Sequence, residues 1–245
     1  RSLNVVILAA GRGKRLGGTD QKVVQTLCGK PMISYVLEAV RPLSPAKVVV
    51  VVGFLKEQVQ EALRGEVVSF VEQPLPLGTG DALLRTRPLL NDTDSDILVL
   101  CGDVPFLTPD TLRRLIAAHK TSGASCTILT ACVDCPTGYG RIVRSPAGIP
   151  VSIVEELNAT PEQKEIREIN TGVYLFRAPR IFEVLGRISP DPIKGEYYLT
   201  DAVALFAASG EPIATYTTPT PEETMGINTP AQLEAAENYL RRKDR

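Results

Sequence analysis

A chain of 245 residues with 44% apolar side chains has enough material for one large buried core, or for one domain carrying a small lobe. Its 27 basic and 28 acidic residues are interspersed and leave a net charge of -1, so composition points to neither nucleic acid nor an anionic membrane as the main partner. Five cysteines, an odd number, and a single histidine argue against a disulfide framework and against histidine acid–base chemistry.

In chain order, LNVVIL (3–8) predicts a strand that runs into a glycine-rich loop. A helix is expected over Ile33 to Val40, a strand over 47–52 and a helix over Lys56 to Leu63. VVSFV (67–71) is the next strand, followed by a helix from Asp81 to Leu89, the strand DILVLC (96–101) and a helix from Pro109 to His119. Continuous apolar strands separated by helices predict a Rossmann-like, doubly wound α/β fold with a mostly parallel sheet. Its ligand crevice is expected beyond the carboxyl ends of the strands. From about residue 124, ASCTILTA, GRIVR, PVSIVEE and INTGVYLF predict strands in an antiparallel, sugar-side extension. Helices are expected over Pro179 to Leu185 and Leu199 to Ser209, and a last one from Thr229-Pro230 to about Arg242. The expected organisation is one domain over 1–245: a nucleotide half to about 123, a sugar-side lobe to about 228, and a C-terminal helix over 229–245.

The opening apolar stretch is too short to span a bilayer, and free thiols suit a reducing compartment, so a cytoplasmic protein without membrane insertion is expected. Cys132 and Cys135 form a CxxC pair, but a zinc site would want a second pair. His119 is expected at the surface or the edge of the core.

Three motifs carry chemistry. In LAAGRGKRL, Gly11 and Gly13 can take positive φ and present N–H groups to phosphate, with Arg15 and Lys22 supplying charge. A plain tight turn is the competing reading; a dinucleotide fingerprint fails because Leu16 stands where the third glycine belongs. In EQPLPLGTGDA, the Gln73 amide can read a base edge through paired hydrogen bonds, and Gly78, Thr79 and Gly80 open a helix near the nucleoside. A helix start with Asp81 complementing the dipole explains the same letters. In LVLCGDVP, Asp103 at the tip of a buried strand needs a cation or donors, and a divalent metal bridging phosphates suits it; it also serves as a mere cap before Pro105. Of the remaining segments, PTGYGRI, IVEELNAT, EINTGVY, GEYYLTD and GIN, most pair a glycine with polar residues. Gly140 admits a close sugar ring, and Glu155 and Asn170 suit hydroxyl recognition.

Taken in order, these segments resemble the uridyltransferase (pyrophosphorylase) domain of the bifunctional N-acetylglucosamine-1-phosphate uridyltransferases / glucosamine-1-phosphate acetyltransferases. The resemblance covers nearly the whole chain. It implies nucleotide contacts at Leu8, Ala9, Ala10, Gly11, Lys22, Gln73, Gly78 and Thr79, with the strand-tip segment on Cys101, Gly102 and Asp103. It implies sugar contacts at Gly140, Glu155, Asn170, Tyr198 and Thr200, with Asn228 beside them, and Mg2+ held by Asp103 and Asn228. Arg15 corresponds to the catalytic arginine. Lys14, Gln21, Pro76, Asp81 and Cys101 depart from the family pattern, which favours threonine, proline, glutamine, histidine and tyrosine there. The family's β-helical acetyltransferase half is built of hexapeptide repeats; none occurs here, so neither acetyl transfer nor the trimer is expected of these residues.

The implied reaction is in-line attack by N-acetylglucosamine 1-phosphate on the α-phosphorus of UTP, giving UDP-N-acetylglucosamine and pyrophosphate. The nucleophile is already anionic, since the second pKa of a phosphate monoester is ~6, so no general base is required. Catalysis would rest on alignment and on charge stabilisation by Mg2+, Arg15 and Lys22. The alternatives are a sugar nucleotidyltransferase using another base or sugar, a silent sugar-nucleotide sensor and, more distantly, a nicotinamide oxidoreductase.

Overall fold

The computed structural model describes residues 1–13, 20–91, 94–192 and 194–243. Nine strands form one sheet: β1 (Ser2–Ala9), β2 (Lys47–Val52), β3 (Ser69–Glu72), β4 (Ser95–Cys101), β5 (Cys126–Cys132), β6 (Arg141–Arg144), β7 (Pro150–Val154), β8 (Glu168–Ala178) and β9 (Ile213–Thr218). The order across the sheet is β9-β5-β8-β4-β1-β2-β3. All neighbours along it are parallel except β8, which runs against both β4 and β5. The expected α/β architecture with a mostly parallel sheet is what the chain adopts.

The apolar runs are continuous because both faces of the central strands are covered. Val6, Val49, Val51, Ile97 and Val99 pack into the core on one face. Val5, Ile7, Val50, Val52, Leu98 and Leu100 pack into the core on the other. A third, smaller core joins Leu27, Met32, Phe106 and Ile227 to Ala236 of the C-terminal helix Pro230–Lys243.

Several boundaries move. The expected helix from Asp81 to Leu89 is two pieces, Thr79–Leu84 and Arg87–Leu90, because Pro88 cannot donate to the preceding turn and sits instead in the first turn of the second piece. The strand at VVSFV starts at Ser69, with Val67 left 95% exposed. Helix Pro109–Ser122 runs past His119 to a left-handed Gly123, with the Thr108 side chain capping its start. His119 is buried, its Nδ1 2.8 Å from Thr127 Oγ1, rather than at the surface. Strand β9 was not expected: its alternating threonines leave it half-buried at the sheet edge, beside β5.

This topology sets the site. Parallel β1, β3 and β4 end together, so the loops carrying Gly11, Gln73 and Asp103 emerge on one edge. Antiparallel β8 begins on that same edge, which brings Asn170 to it, and a register shift between Asn170 and Tyr174 re-aims the strand there. Hairpin β6–β7 extends beyond it and joins β8 through Ile169 and Arg141. No helix among the described residues is long and apolar enough to cross a membrane.

Candidate functional site

After β1 the chain turns along the floor of a cleft of about 810 Å³, lined by Leu8, Ala9, Ala10 and Gly11. Gly13 takes the left-handed conformation expected of it (φ +57), whereas Gly11 is not among the positive-φ residues. What holds this loop is Gln21, which is fully buried. Its Nε2 donates to the carbonyls of Ala9 (2.7 Å) and Gly11 (2.9 Å), and its Oε1 accepts from Val23 N at 2.7 Å. With those carbonyls tied back into the protein, the loop's own N–H groups remain for an anion.

Lys22 follows directly. Its Nζ pairs with the carboxylate of Asp103 and donates to Asn228 Oδ1 at 2.6 Å. Three segments far apart in sequence therefore meet on one positive charge. Gly102 N also donates to Leu8 O (3.0 Å), and Ile227 N to Asp103 O (3.0 Å), so the tip of β4 is stitched to both the opening loop and the GIN segment. Asn228 is steadied through its own N–H, which donates to Gln232 Oε1 at 2.7 Å in the first turn of the last helix. A carboxylate and a carboxamide oxygen converging on one cation is a donor set that suits a hard divalent metal completed by phosphate oxygens and water. Among the described residues no cluster of three or more His, Cys, Asp or Glu stands together as a metal cage, here or elsewhere.

The second wall is the GTG turn. Gly78 has φ +96, and an added Cβ would lie 2.5 Å from Tyr197 O. The close approach lets Gly80 N donate to Tyr197 O (2.8 Å) and Tyr197 N to Leu77 O (2.7 Å). Thr79 Oγ1 accepts from Leu199 N at 3.0 Å. The GTG turn and GEYYLTD thus form one structure. Gln73 lines the cleft beside them, with its Nε2 donating to Gly78 O (3.0 Å) and Asp81 Oδ2 (2.8 Å). Its two N–H bonds are spent inside the protein, so the paired base contact expected of this amide narrows to one acceptor, Oε1.

A second cavity of about 500 Å³ adjoins the first and is lined by Glu155, Asn170, Tyr198 and Thr200. Leu8, Thr79, Cys101, Lys194 and Tyr198 border both cavities and mark the seam between them. Burial pushes the Glu155 carboxyl above the usual carboxylate range; the Thr200 hydroxyl opposes the rise, Asp201 adds to it and Lys194 opposes it. The acceptor form is therefore lost at a higher pH than for an exposed glutamate. The KM for a sugar phosphate is expected to climb as pH falls from neutral, and the Glu155→Gln variant should flatten that climb. A variant with an unchanged profile would assign the limb to the ligand's own ionisation near ~6.

Of the residues singled out in the sequence, Leu8 to Gly11, Lys22, Gln73, Gly78, Thr79, Cys101, Asp103 and Asn228 line the first cavity. Asn228 stands there beside Asp103 rather than in the second cavity with Glu155 and Asn170. Gly102 and Gly140 line neither: Gly102 is buried beneath the loop, and Gly140 supports Asn170 by accepting its N–H at 2.9 Å. Arg15 lies outside the described residues. The Cys101 thiol, pushed up to about 12 by burial, stays protonated at the seam. Cys132 and Cys135 are free and exposed. Not foreseen were Arg12, Lys194 and Glu196 on the cavity wall, Arg12 sitting 5.5 Å from the centre of the Phe54 ring, nor the roles of Gln21 and Asp81. The signal for the last two was their departure from the family pattern.

The chain is 44% identical over 241 residues to the bifunctional protein GlmU of Pelotomaculum thermopropionicum, covering 98% of this chain and 52% of that protein. It is 44% identical over 240 residues to that of Desulfitobacterium hafniense and 42% over 236 to that of Geobacillus thermodenitrificans, with 97% and 96% of this chain covered and 52% and 51% of those proteins. The chain thus spans about half the length of the curated relatives it matches. In structure it is similar to a Bacillus anthracis protein assigned as a glucose-1-phosphate thymidylyltransferase and crystallised with sucrose. The TM-score is 0.77 at 20% identity, over 98% of this chain and 96% of that one, a likeness of fold. A family model for the MobA-like NTP transferase domain matches residues 5–172, from the first strand through the turn that aims Asn170. With that stretch carrying the loop, the strand tip and Leu8, Thr79 and Cys101 of the seam just described, the chain belongs to the family of MobA-like NTP transferase domains.

Proposed function

We propose that the chain joins UTP to N-acetylglucosamine 1-phosphate, forming UDP-N-acetylglucosamine and releasing pyrophosphate. The observation that carries this reading is the seam: a cavity lined by Glu155, Asn170 and Thr200 adjoins the cleft where Lys22, Asp103 and Asn228 meet. The kinship with the GlmU proteins supports it.

The anionic oxygen of the sugar phosphate attacks the α-phosphorus in line. A new P–O bond forms as the bond to the β-phosphate bridging oxygen breaks, and pyrophosphate departs with that electron pair. The loop after β1 offers N–H groups to the phosphates, and Gln73 Oε1 faces the base. Glu155, Asn170 and Thr200 take the sugar hydroxyls and align the nucleophile. Mg2+ held by Asp103 and Asn228 would neutralise phosphate charge and favour the departing pyrophosphate. Lys22, beside both oxygens, supplies a further positive charge, as does Arg15 in the family pattern. No side chain has to remove a proton.

The test is pyrophosphate release with UTP, dTTP, ATP, GTP and CTP, each against N-acetylglucosamine, glucosamine and glucose 1-phosphates. The expected result is a clear maximum for UTP with N-acetylglucosamine 1-phosphate. A maximum at another pair assigns a different sugar nucleotide, and tight UDP-sugar binding without turnover overturns the enzyme assignment.

A further inference from the structure

We propose that Asp81 sets the base preference of this site by fixing which end of the Gln73 carboxamide faces the nucleotide. This rests on the reading of the first cavity as a nucleotide site. Gln73 stands just after β3, nearly buried, on the wall of that cavity. Both hydrogens of its Nε2 are taken, by Gly78 O at 3.0 Å and by Asp81 Oδ2 at 2.8 Å. Neither partner can donate, so the chemistry of the partners alone decides the orientation of the amide. Turning it over would set Oε1 against a carbonyl oxygen and a carboxylate oxygen together.

Asp81 is itself held. It is buried in the first turn of helix Thr79–Leu84, and Arg85 one turn later grips it mainly at Oδ1, from Nε (3.2 Å) and from Nη2 (3.1 Å), with a longer contact from Nε to Oδ2 (3.4 Å). Arg85, Asp81 and Gln73 form a relay whose last member presents an oxygen. Among the described residues no donor is recorded to Gln73 Oε1, which leaves this acceptor for the cavity.

An acceptor at that point discriminates by the hydrogen on the base's ring nitrogen. Uracil offers N3–H, which the oxygen accepts. Cytosine offers a lone pair on N3, which the oxygen repels. Selectivity of this kind follows from a fixed polar group left unpaired by the wrong base. A histidine at residue 81, common in the family pattern, offers a donor or an acceptor according to its tautomer. The carboxylate offers only acceptors.

The experiment compares wild type with Asp81→Asn, measuring kcat and KM for UTP and CTP in single preparations. In the variant, Arg85 retains the Oδ1 position, so the new amide nitrogen stands where Oδ2 was and opposes Gln73 Nε2, donor against donor. Gly78 O still favours the original orientation, so the Gln73 amide meets one mismatched partner either way and the fixed presentation of Oε1 is lost. The ratio of kcat/KM for UTP to that for CTP is expected to fall by roughly tenfold or more, with the change in KM for UTP rather than in kcat. That ratio does not depend on how much of the sample is folded. Dissociation constants for UTP and CTP without sugar phosphate give a second reading of the same preference. A wild type that prefers UTP beside a variant with an unchanged ratio overturns the role of Asp81 and leaves the UTP assignment standing. A wild type without preference for UTP overturns both.

Discussion

The Asp103→Asn variant is expected to lose pyrophosphate release by roughly a thousandfold while keeping its fold. The substitution preserves shape and one oxygen and removes only charge. That charge has two uses at one point: it faces the Lys22 ammonium, and it is the only carboxylate in the pair of oxygens assigned to a divalent cation. Removing one preorganised charge stabiliser from a phosphoryl or acyl transfer site costs on the order of 10²–10³ in kcat. Loss of the cation as well extends the effect toward the upper end. The backbone link from Ile227 N to Asp103 O at 3.0 Å does not involve the side chain, so the strand tip should stay in place. Titration with Mn2+, followed by its paramagnetic signal in the presence of UTP, should show weakened metal binding. A variant with near-normal turnover would remove Asp103 from the metal assignment.

The Gly78→Ala variant is expected to lose roughly 3–5 kcal/mol of stability and to raise KM for both substrates at least tenfold, the range associated with backbone strain combined with a forced separation. Two effects add. The residue sits at φ +96, outside the ordinary range of an L side chain, and its Cβ would meet Tyr197 O at 2.5 Å and Tyr197 N at 2.8 Å. Relief requires Tyr197 to move away. Such a movement breaks the bonds from Gly80 N to Tyr197 O and from Tyr197 N to Leu77 O, and loosens the one from Leu199 N to Thr79 Oγ1. The first pair joins the GTG wall of the first cavity to the segment carrying Tyr198 and Thr200, so both compartments should suffer. Denaturant midpoints and the two KM values check this. A wild-type midpoint would mean that the two segments are not coupled as described.

Much of the fold was legible because burial on both faces writes itself as uninterrupted valine and leucine. β1, β2 and β4 were read on that basis, and their shared ends locate the crevice. Strand β9 escaped because an edge strand covered on one side alternates polar and apolar residues and IATYTT is dominated by threonine. The break at Pro88 is a local signal masked by the apolar residues around it. At the site, Lys22, Gln73, Asp103 and Asn228 were legible through motif resemblance. Their partners were not. Gln21 looked like a simple departure from the family pattern, yet its carboxamide fastens the loop after β1 through two hydrogen bonds and accepts a third from Val23 N.

The order of residues was enough to define the alternation of strands and helices, the edge of the sheet where a crevice opens, and the polar and charged side chains available there. Those follow from periodicity and side-chain chemistry, which are local. It took the folded chain to place Lys22 between Asp103 and Asn228, and to lace the GTG turn to Tyr197 and Leu199. The fold also decided that Gln73 has one oxygen and no hydrogen left to offer a base. A hydrogen bond depends on where both partners lie, and here the partners come from distant parts of the chain that meet only once the sheet has assembled.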